Sequence, residues 1–367
     1  MLNRSLKFIG ISVFGILALI ALAATLIPLI PHKAWYIQIF DYPRLQTFFI
    51  AVIALIWYCT FYFKRGRKGL FFVVLFVIVI IVQAYKAWPY TPLAHKQVLW
   101  ANNNGNDSST ISLFICNVLQ TNTAYNKVIE EINFHHPDII ITTESNNKWQ
   151  TALGVLKNDY PYGLGAPLDN FYGMHLYSRL PLDESILRYL MEPDIPSIRT
   201  KVKLPSGEWI TLFVVHPRPP VPGESSDSRE RDAEIIMVAN EAQREKGGVI
   251  VAGDFNDVAW SKNTKLFQEV TGYLDPRRGR GFYNTYHADI PFFRWPLDHI
   301  FHSSHFKLVN MKRVGTVNSD HFPMYVKLDY EPENKLDQPA VKPEASTKKE
   351  AAETIQEGKN DKDAPGQ

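Results

Sequence analysis

The residues best suited to chemistry in this chain sit where apolar runs begin or stop. Asn117 follows Ile111–Cys116, Glu144 follows Ile139–Thr143, and His216 closes Ile210–Val215. Asp254 and Asn256 follow Val249–Gly253, Asp298 and His299 open Ile300–Phe301, and Asp320 and His321 come just before Met324–Leu328. Carboxylates, amides and imidazoles are the groups that phosphoester hydrolysis needs. Oxygen donors hold a hard divalent cation, and protonated or neutral imidazoles donate hydrogen bonds to phosphoryl oxygens as negative charge builds. Singly, each residue has a plainer explanation. A carboxylate at a strand end usually caps a helix or sits in a solvated turn, and a lone His such as His216 is more often a structural hydrogen-bonder. The two cysteines, Cys59 and Cys116, cannot build a thiolate metal cluster, so any metal falls to carboxylates and amide oxygens. Cys59 lies inside a hydrophobic run, which argues against a bridge to Cys116.

The elements that must position these residues read as a mixed α/β domain. Strands are predicted at Ile111–Cys116, Asp138–Thr142, Met174–Tyr177, Thr200–Leu204, Trp209–His216, Gly248–Ala252, Leu297–His302 and Met324–Asp329. Helices are predicted at Tyr125–Phe134, Ser228–Glu245 and Asn263–Thr271. The domain occupies residues 110–330. Residues 91–109 read as a linker, with the polar stretch Asn102–Ser109 lacking any helical or strand period. Residues 331–367 are rich in Lys, Glu, Pro, Asp and Ala, with almost no large apolar side chains. Such a segment buries too little surface to offset the ordering of its chain and is expected to be disordered.

Residues 1–90 form a membrane anchor by this reading. The formal net charge of +2 is spread unevenly, and three uncharged stretches, Phe8–Pro31, Leu45–Phe63 and Gly69–Tyr85, dominate the first part of the chain. Their lengths of about 24, 19 and 17 residues bracket what a helix needs to cross a hydrocarbon core. Trp35, Tyr36, Trp57, Tyr58, Trp88 and Tyr90 lie at or near their ends, where a membrane interface favours aromatics. The first stretch is too long for a cleaved leader, and two more spans follow it. Lys64, Arg65, Arg67 and Lys68 crowd the second loop, and Arg4 and Lys7 precede the first span. The positive-inside bias puts these in the cytoplasm, so three crossings leave the catalytic domain extracytoplasmic in a multi-pass membrane protein.

In order and interval, the strand-end residues resemble the endonuclease/exonuclease/phosphatase superfamily. The matching pieces are Asn117-Val118, Glu144 closing Asp138-Ile-Ile-Ile-Thr-Thr, Ser178-Arg179-Leu180-Pro181, His216-Pro217, Gly253-Asp254-Phe255-Asn256, Leu297-Asp298-His299-Ile300-Phe301 and Ser319-Asp320-His321. Gly-Asp-Phe-Asn followed some sixty residues later by Ser-Asp-His is the most specific pairing. The resemblance covers about Ile111–Leu328 and implies a four-layer sandwich, two packed β-sheets flanked by helices, here preceded by three transmembrane helices. Two departures bear on substrate. Cys116 precedes Asn117 where nucleases often carry Trp, and no long basic or aromatic insertion is evident. Thr110–Tyr330 holds about 23 Lys and Arg against about 26 Asp and Glu, not the basic footprint of a duplex-DNA binder. The cluster Arg277, Arg278 and Arg280 reads equally as a phosphate contact or a solvated loop.

The resemblance also implies roles. Glu144 would be the principal ligand of Mg²⁺, for which Mn²⁺ could substitute, with Asn117 and Asp320 completing or orienting the shell. Asp254 would orient or deprotonate the attacking water, and Asn256 would hold a phosphate oxygen. His216 and His321 would donate to the phosphoryl group, with Asp298 paired to His321. Whether Asp254 or His321 moves the proton stays open at this level. The expected activity is hydrolysis of a phosphodiester or phosphomonoester in a lipid, a nucleotide or nucleic acid. The partners implied are the membrane and that substrate, and no obligate protein partner is evident. The alternative is a catalytically silent membrane protein that uses the same fold to bind a phosphorylated ligand or partner. The intact set Glu144, His216, Asp254, Asn256, Asp298, Asp320 and His321 favours the enzyme.

Overall fold

Three helices open the chain because nothing in their sequences can satisfy a backbone any other way in an apolar setting. The structure is a computed structural model that describes residues 4–61, 66–101 and 108–362. Helices α1 (Arg4–Leu26), α3 (Arg44–Phe61) and α4 (Arg67–Ala87) are long and apolar enough to cross a membrane, with the one-turn helix α2 (Trp35–Gln38) after the first. They pack on one another through Ala21, Ala51, Ala54, Phe76 and Val79, where the three alanines let the backbones approach around the larger Phe76 and Val79. Their polar groups pair internally: Arg44 Nη1 donates to Gln83 Oε1 at 3.2 Å, and Gln83 Nε2 to Thr25 Oγ1 at 2.8 Å. Lys64, Arg65 and the linker residues Asn102–Asp107 lie outside the described residues.

Burial on both faces sets the strands of the following domain. In β1 (Thr110–Asn117) every residue is buried. Ile111, Leu113 and Ile115 join one core, while Phe114 and Cys116 join another, so the strand needs a covering layer on each side. After α5 (Tyr125–His135) come β2 (Ile139–Thr143), α6 (Asn147–Leu153), β3 (Tyr162–Ala166) and β4 (Met174–Ser178). Then follow β5 (Leu182–Arg188), β6 (Ser197–Lys203), β7 (Trp209–Val215), α7 (Arg229–Ala242), β8 (Val249–Asp254), α8 (Lys262–Thr271), β9 (Asp298–His302), β10 (Phe306–Arg313) and β11 (Met324–Tyr330). One sheet has the order β10-β11-β1-β2-β4-β3, the other β5-β6-β7-β8-β9. Only β1 with β2 and β7 with β8 run parallel; the other pairs are antiparallel. The main core lies between the sheets, where Leu113, Ile115 and Ile141 meet Leu212, Val214 and Ile250. Outer cores form under α5 and α6 around Phe114, Ile132 and Trp149, and under α7 and α8 around Phe213, Ile236 and Phe267. The four-layer sandwich implied by the resemblance is the fold.

One expectation is overturned, and it concerns the tail. The linker packs on the domain where it is described. Val98 is buried in the core between the sheets, Leu308 N donates to Leu99 O at 2.9 Å, and Ala101 N donates to Leu308 O at 2.9 Å. The tail is not disordered over its described length, for it forms α9 (Thr347–Lys362) against α7 and α8. Its packing stripe is made of Thr347, Ala351, Thr354, Ile355 and Gly358, spaced as one helix face. A Cβ at Gly358 would lie 2.4 Å from Ala233 Cβ, so close approach replaces large apolar side chains there. Composition alone missed this contact because small residues make it.

Before the helix, Gln338 is buried and ties three segments together. Its Oε1 accepts from Leu99 N at 2.8 Å, and its Nε2 donates to Ser304 O at 3.1 Å and to Phe306 O. Losing buried hydrogen bonds of this kind costs about 1–3 kcal/mol. Truncation after Tyr330 should therefore lower the melting temperature of the full-length protein in detergent by at least about 5 °C. An unchanged melting curve would show that the tail stabilises nothing.

Candidate active site

Parallel pairing brings the chemical residues to one end of the sandwich. Asn117 and Thr143 are partners at the ends of β1 and β2, and Val215 and Gly253 are partners near the ends of β7 and β8. Asn117, Glu144, His216 and Asp254 therefore emerge side by side. The antiparallel neighbours deliver the rest, since Asp298 starts β9 opposite Asp254 and His321 precedes β11, whose Met324 pairs with Ile115. Gly253 has φ of +137°, and a Cβ there would lie 2.1 Å from Val215 O, so only glycine lets β8 approach β7 just before Asp254. Glu144 and Asn256 hold φ of +56° and +51°, uncommon for side-chain-bearing residues and concentrated at functional sites.

Asp254 is the hub. Its Oδ1 accepts from Asn256 N at 2.9 Å, and its Oδ2 accepts from Asn117 Nδ2 at 3.2 Å. The same Oδ2 faces His321 Nε2 at 3.6 Å and His216 Nε2 at 3.8 Å. Burial penalises this carboxylate, but His321 and His216 outweigh burial and hold its pKa below the usual range. His321 Nδ1 pairs with Asp298 Oδ2 at 2.8 Å. Burial alone would discharge this imidazole, yet Asp298 and then Asp254 lift its pKa to about 10. Asp298 is fixed by Thr285 Oγ1 on its backbone N at 3.2 Å and by Arg277 Nη1 on its carbonyl at 3.2 Å. Burial lowers the pKa of His216 against the pull of Asp254.

Glu144 differs, because no basic side chain touches it among the described residues. Its oxygens accept from Asn117 Nδ2 at 2.7 Å and from Gln120 N at 3.3 Å. Burial raises its pKa to about 7, eased by the Asn117 hydrogen bond and pushed up further by Asp320. Glu144 and Asp320 are only half-buried, so solvent ions reach them. Acids crowded together without a compensating cation, with oxygen donors alone at hand, fit a hard divalent ion. Asn117 as placed gives its nitrogen to both Glu144 and Asp254 while its Oδ1 accepts from Leu119 N at 3.0 Å. It thus links the two acids and orients the shell. Asp254, Asp298 and His321 also bring ligand atoms within 4.8 Å of one another and could hold a metal. His321 turns Nδ1 to Asp298 and Nε2 to Asp254, so the trio is already paired within itself.

All eight sequence-derived residues gather at this end. Asn256 also spends one Nδ2 hydrogen on Pro217 O at 3.0 Å, which leaves the other for a ligand. Several neighbours were not legible in the sequence. Tyr42 Oη and Arg231 Nη1 both donate to Asn256 O, at 3.1 and 2.7 Å, and the Tyr286 and Tyr172 rings lie 4.9 and 5.4 Å from those of His321 and His216. Ser319, inside the Ser-Asp-His piece, bridges Asn117 O and His321 N at 2.7 and 3.1 Å. The arginine cluster is neither phosphate contact nor solvated loop. Arg277 is buried between Asp275 and His299, Arg278 lies over Tyr90, and Arg280 lies over Trp100.

Two sheets packed face to face between helices, with acids and imidazoles where the parallel strands end, define a phosphoesterase fold. A sequence profile of the Endonuclease/Exonuclease/phosphatase family matches residues 104–321, and the chain belongs to that family. Its members are divalent-metal-dependent phosphoesterases. Among solved structures, D. rerio TDP2 complexed with single-strand DNA product superimposes with a TM-score of 0.51 at 16% identity, covering 60% of this chain and 99% of that one. Humanized D. rerio TDP2 gives 0.50 at 15% identity, covering 60% and 100%. The human Nocturnin catalytic domain with bound sulfate gives 0.49 at 18% identity, covering 60% and 95%. At these identities the likeness is one of fold. No curated protein matches the chain.

The charge on His321 yields a pH test. Its imidazolium form persists below about 10 and is lost as pH rises through that value. Asp298→Asn removes its nearest partner, so the pKa should fall by about one unit or more. The alkaline limb of the kcat/KM profile should move to lower pH by the same amount. A limb that stays in place would detach Asp298 from the protonation of His321.

Proposed function

We propose that this chain is a membrane-anchored, Mg²⁺-dependent hydrolase of phosphoesters whose catalytic domain lies outside the cytoplasm. The observation that carries the reading is Glu144, a carboxylate facing Asp254 and Asp320 with no basic side chain in hydrogen-bond contact among the described residues, beside two imidazoles that can meet a phosphoryl group. Glu144 and Asp320 would hold the cation, with Asn117 orienting Glu144. When bound, the ion neutralises phosphoryl oxygens and supports the leaving oxygen. Asp254, kept anionic by His321 and His216, aligns the attacking water through its oxygens. His321, kept protonated, donates to the phosphoryl oxygen, and Asn256 and His216 supply further hydrogen bonds. The water oxygen bonds to phosphorus, the P–O bond to the leaving group breaks, and the departing oxygen gains the proton that water gave up.

The three apolar helices support anchoring, and basic residues around the second loop support an extracytoplasmic domain. Contacts agree in parity. Lys33 pairs with Asp232 at 2.7 Å, and Tyr42 reaches Asn256; these contacts support a first loop and a domain on the same side, the arrangement that three crossings would give.

The roles separate in a titration of rate against Mg²⁺ on a generic phosphodiester. Glu144→Gln keeps shape but removes the charge for the cation, so activity should fall about a hundredfold or more and recover partly at high Mg²⁺. His321→Ala should lose comparable activity at every Mg²⁺ concentration, because it does not hold the ion. Equal metal rescue of both variants, or parental rates in either, would overturn these assignments.

A further inference from the structure

The catalytic end of the sandwich is the end that rests on the anchor. Tyr42, whose hydroxyl reaches the carbonyl of Asn256, stands two residues before α3 begins. That is about 7 Å of backbone from the start of a membrane-crossing helix. Tyr90, just past the end of α4, donates to Ala259 O at 2.6 Å, and Asp41 O accepts from Trp260 Nε1 at 2.8 Å. The site is therefore held against the helices by direct contact.

One loop carries this placement further. Residues Ile290, Phe292 and Phe293 are exposed, Phe292 by 82% and Phe293 by 53%. A solvated loop has no reason to present such a group together. The loop is fixed at both ends. Toward the site, Ala288 N donates to Asp320 O at 2.7 Å, Phe322 N to Thr285 O at 2.8 Å, and the Tyr286 ring lies against His321. Toward the anchor, Gln46 Nε2 donates to Phe292 O at 2.6 Å, and Trp295 meets the edge of Tyr42 at 5.6 Å. Gln46 lies in the first turn of α3, at headgroup level for a helix that starts at Arg44. It also begins the stripe Gln46, Phe49, Ile53 and Ile56, a single helix face whose apolar members are all exposed. That face is the lipid-facing one, so the Phe292 backbone is fastened to the lipid side of the anchor.

We propose that the Ile290–Phe293 loop sits in the outer headgroup layer and that the site takes its phosphoester from a membrane lipid. Apolar side chains beside a polar site suit a substrate with acyl chains on one end and a phosphodiester headgroup on the other. The lipid slides along the loop, the acyl part stays against Phe292 and Phe293, and the phosphodiester reaches Asn256, His216 and His321. Water adds to phosphorus, and an alcohol and a phosphomonoester leave. This inference rests on the phosphoesterase reading above.

The test uses the full-length protein in nanodiscs of phosphatidylcholine, phosphatidylethanolamine, phosphatidylglycerol and sphingomyelin, with Mg²⁺. Lipid cleavage is measured beside cleavage of bis(p-nitrophenyl) phosphate and of a single-stranded oligonucleotide. The parent should cleave a nanodisc lipid. Phe292→Ser with Phe293→Ser should lower lipid cleavage about tenfold or more and leave the soluble diester within about twofold, with Phe292→Ser alone between them. Cleavage of the soluble diester or oligonucleotide without any lipid cleavage would overturn the lipid assignment and leave the phosphoesterase standing. So would full lipid cleavage by both variants. No cleavage of any substrate by the parent would overturn both readings.

Discussion

The arrangement depends on a concentration of negative charge at one end of two sheets. Asp254 and Asp298 are buried, Glu144 and Asp320 are half-buried, and two parallel strand pairs leave them no room to separate. Each carboxylate loses hydration and feels its neighbours, which by itself favours the neutral acid. The chain answers in two ways. Around Asp254 and Asp298 it supplies His321, whose two ring nitrogens face one acid each. Around Glu144 the described hydrogen-bond donors are amides, and burial lifts the carboxyl pKa to about 7. One half of the site is thus balanced by an imidazole and the other by amide donors, a division that suits hydrolysis of an anionic ester.

The N-terminal helices and the loops between them enter this balance as structure. Asn256, two residues after Asp254 and held at positive φ, has its carbonyl pinned by Arg231 and by Tyr42 from the first loop. Arg231 is itself set by Asp232, which also holds Lys33 at the other end of that loop. Two hydrogen bonds and an ion pair therefore join the first loop to the backbone beside Asp254. The segment after α4 and the tail add a second layer, since Gln338 joins Leu99 to the β10 region and Arg280 covers Trp100.

Much of this was legible in the sequence, for identifiable reasons. Central strands such as β1, β2 and β8 are buried on both faces and read as apolar runs. The unpredicted strands β3, β5 and β10 are all sheet edges. Tyr162–Ala166 carries two glycines, Leu182–Arg188 is largely exposed and polar, and Phe306–Arg313 has a bulge, so none keeps a clean alternation. Helix α9 was hidden by its small-residue packing face. The site residues were legible because strand ends convert spacing into position. Tyr42, Arg231 and Tyr286 were not, because they come from a loop, a helix and an irregular segment brought in only by tertiary packing.

The central claim, that Glu144 lacks a cation of its own and takes one by giving up a proton, is tested most directly by calorimetry. Mg²⁺ is titrated into the full-length protein near pH 6.5 in two buffers of different ionisation enthalpy. At that pH a carboxyl with a pKa of about 7 is largely protonated, so binding should release about half a proton or more per ion, and Glu144→Gln should abolish that release. Binding with no proton released by the parent, or the same release from Glu144→Gln, would contradict the account.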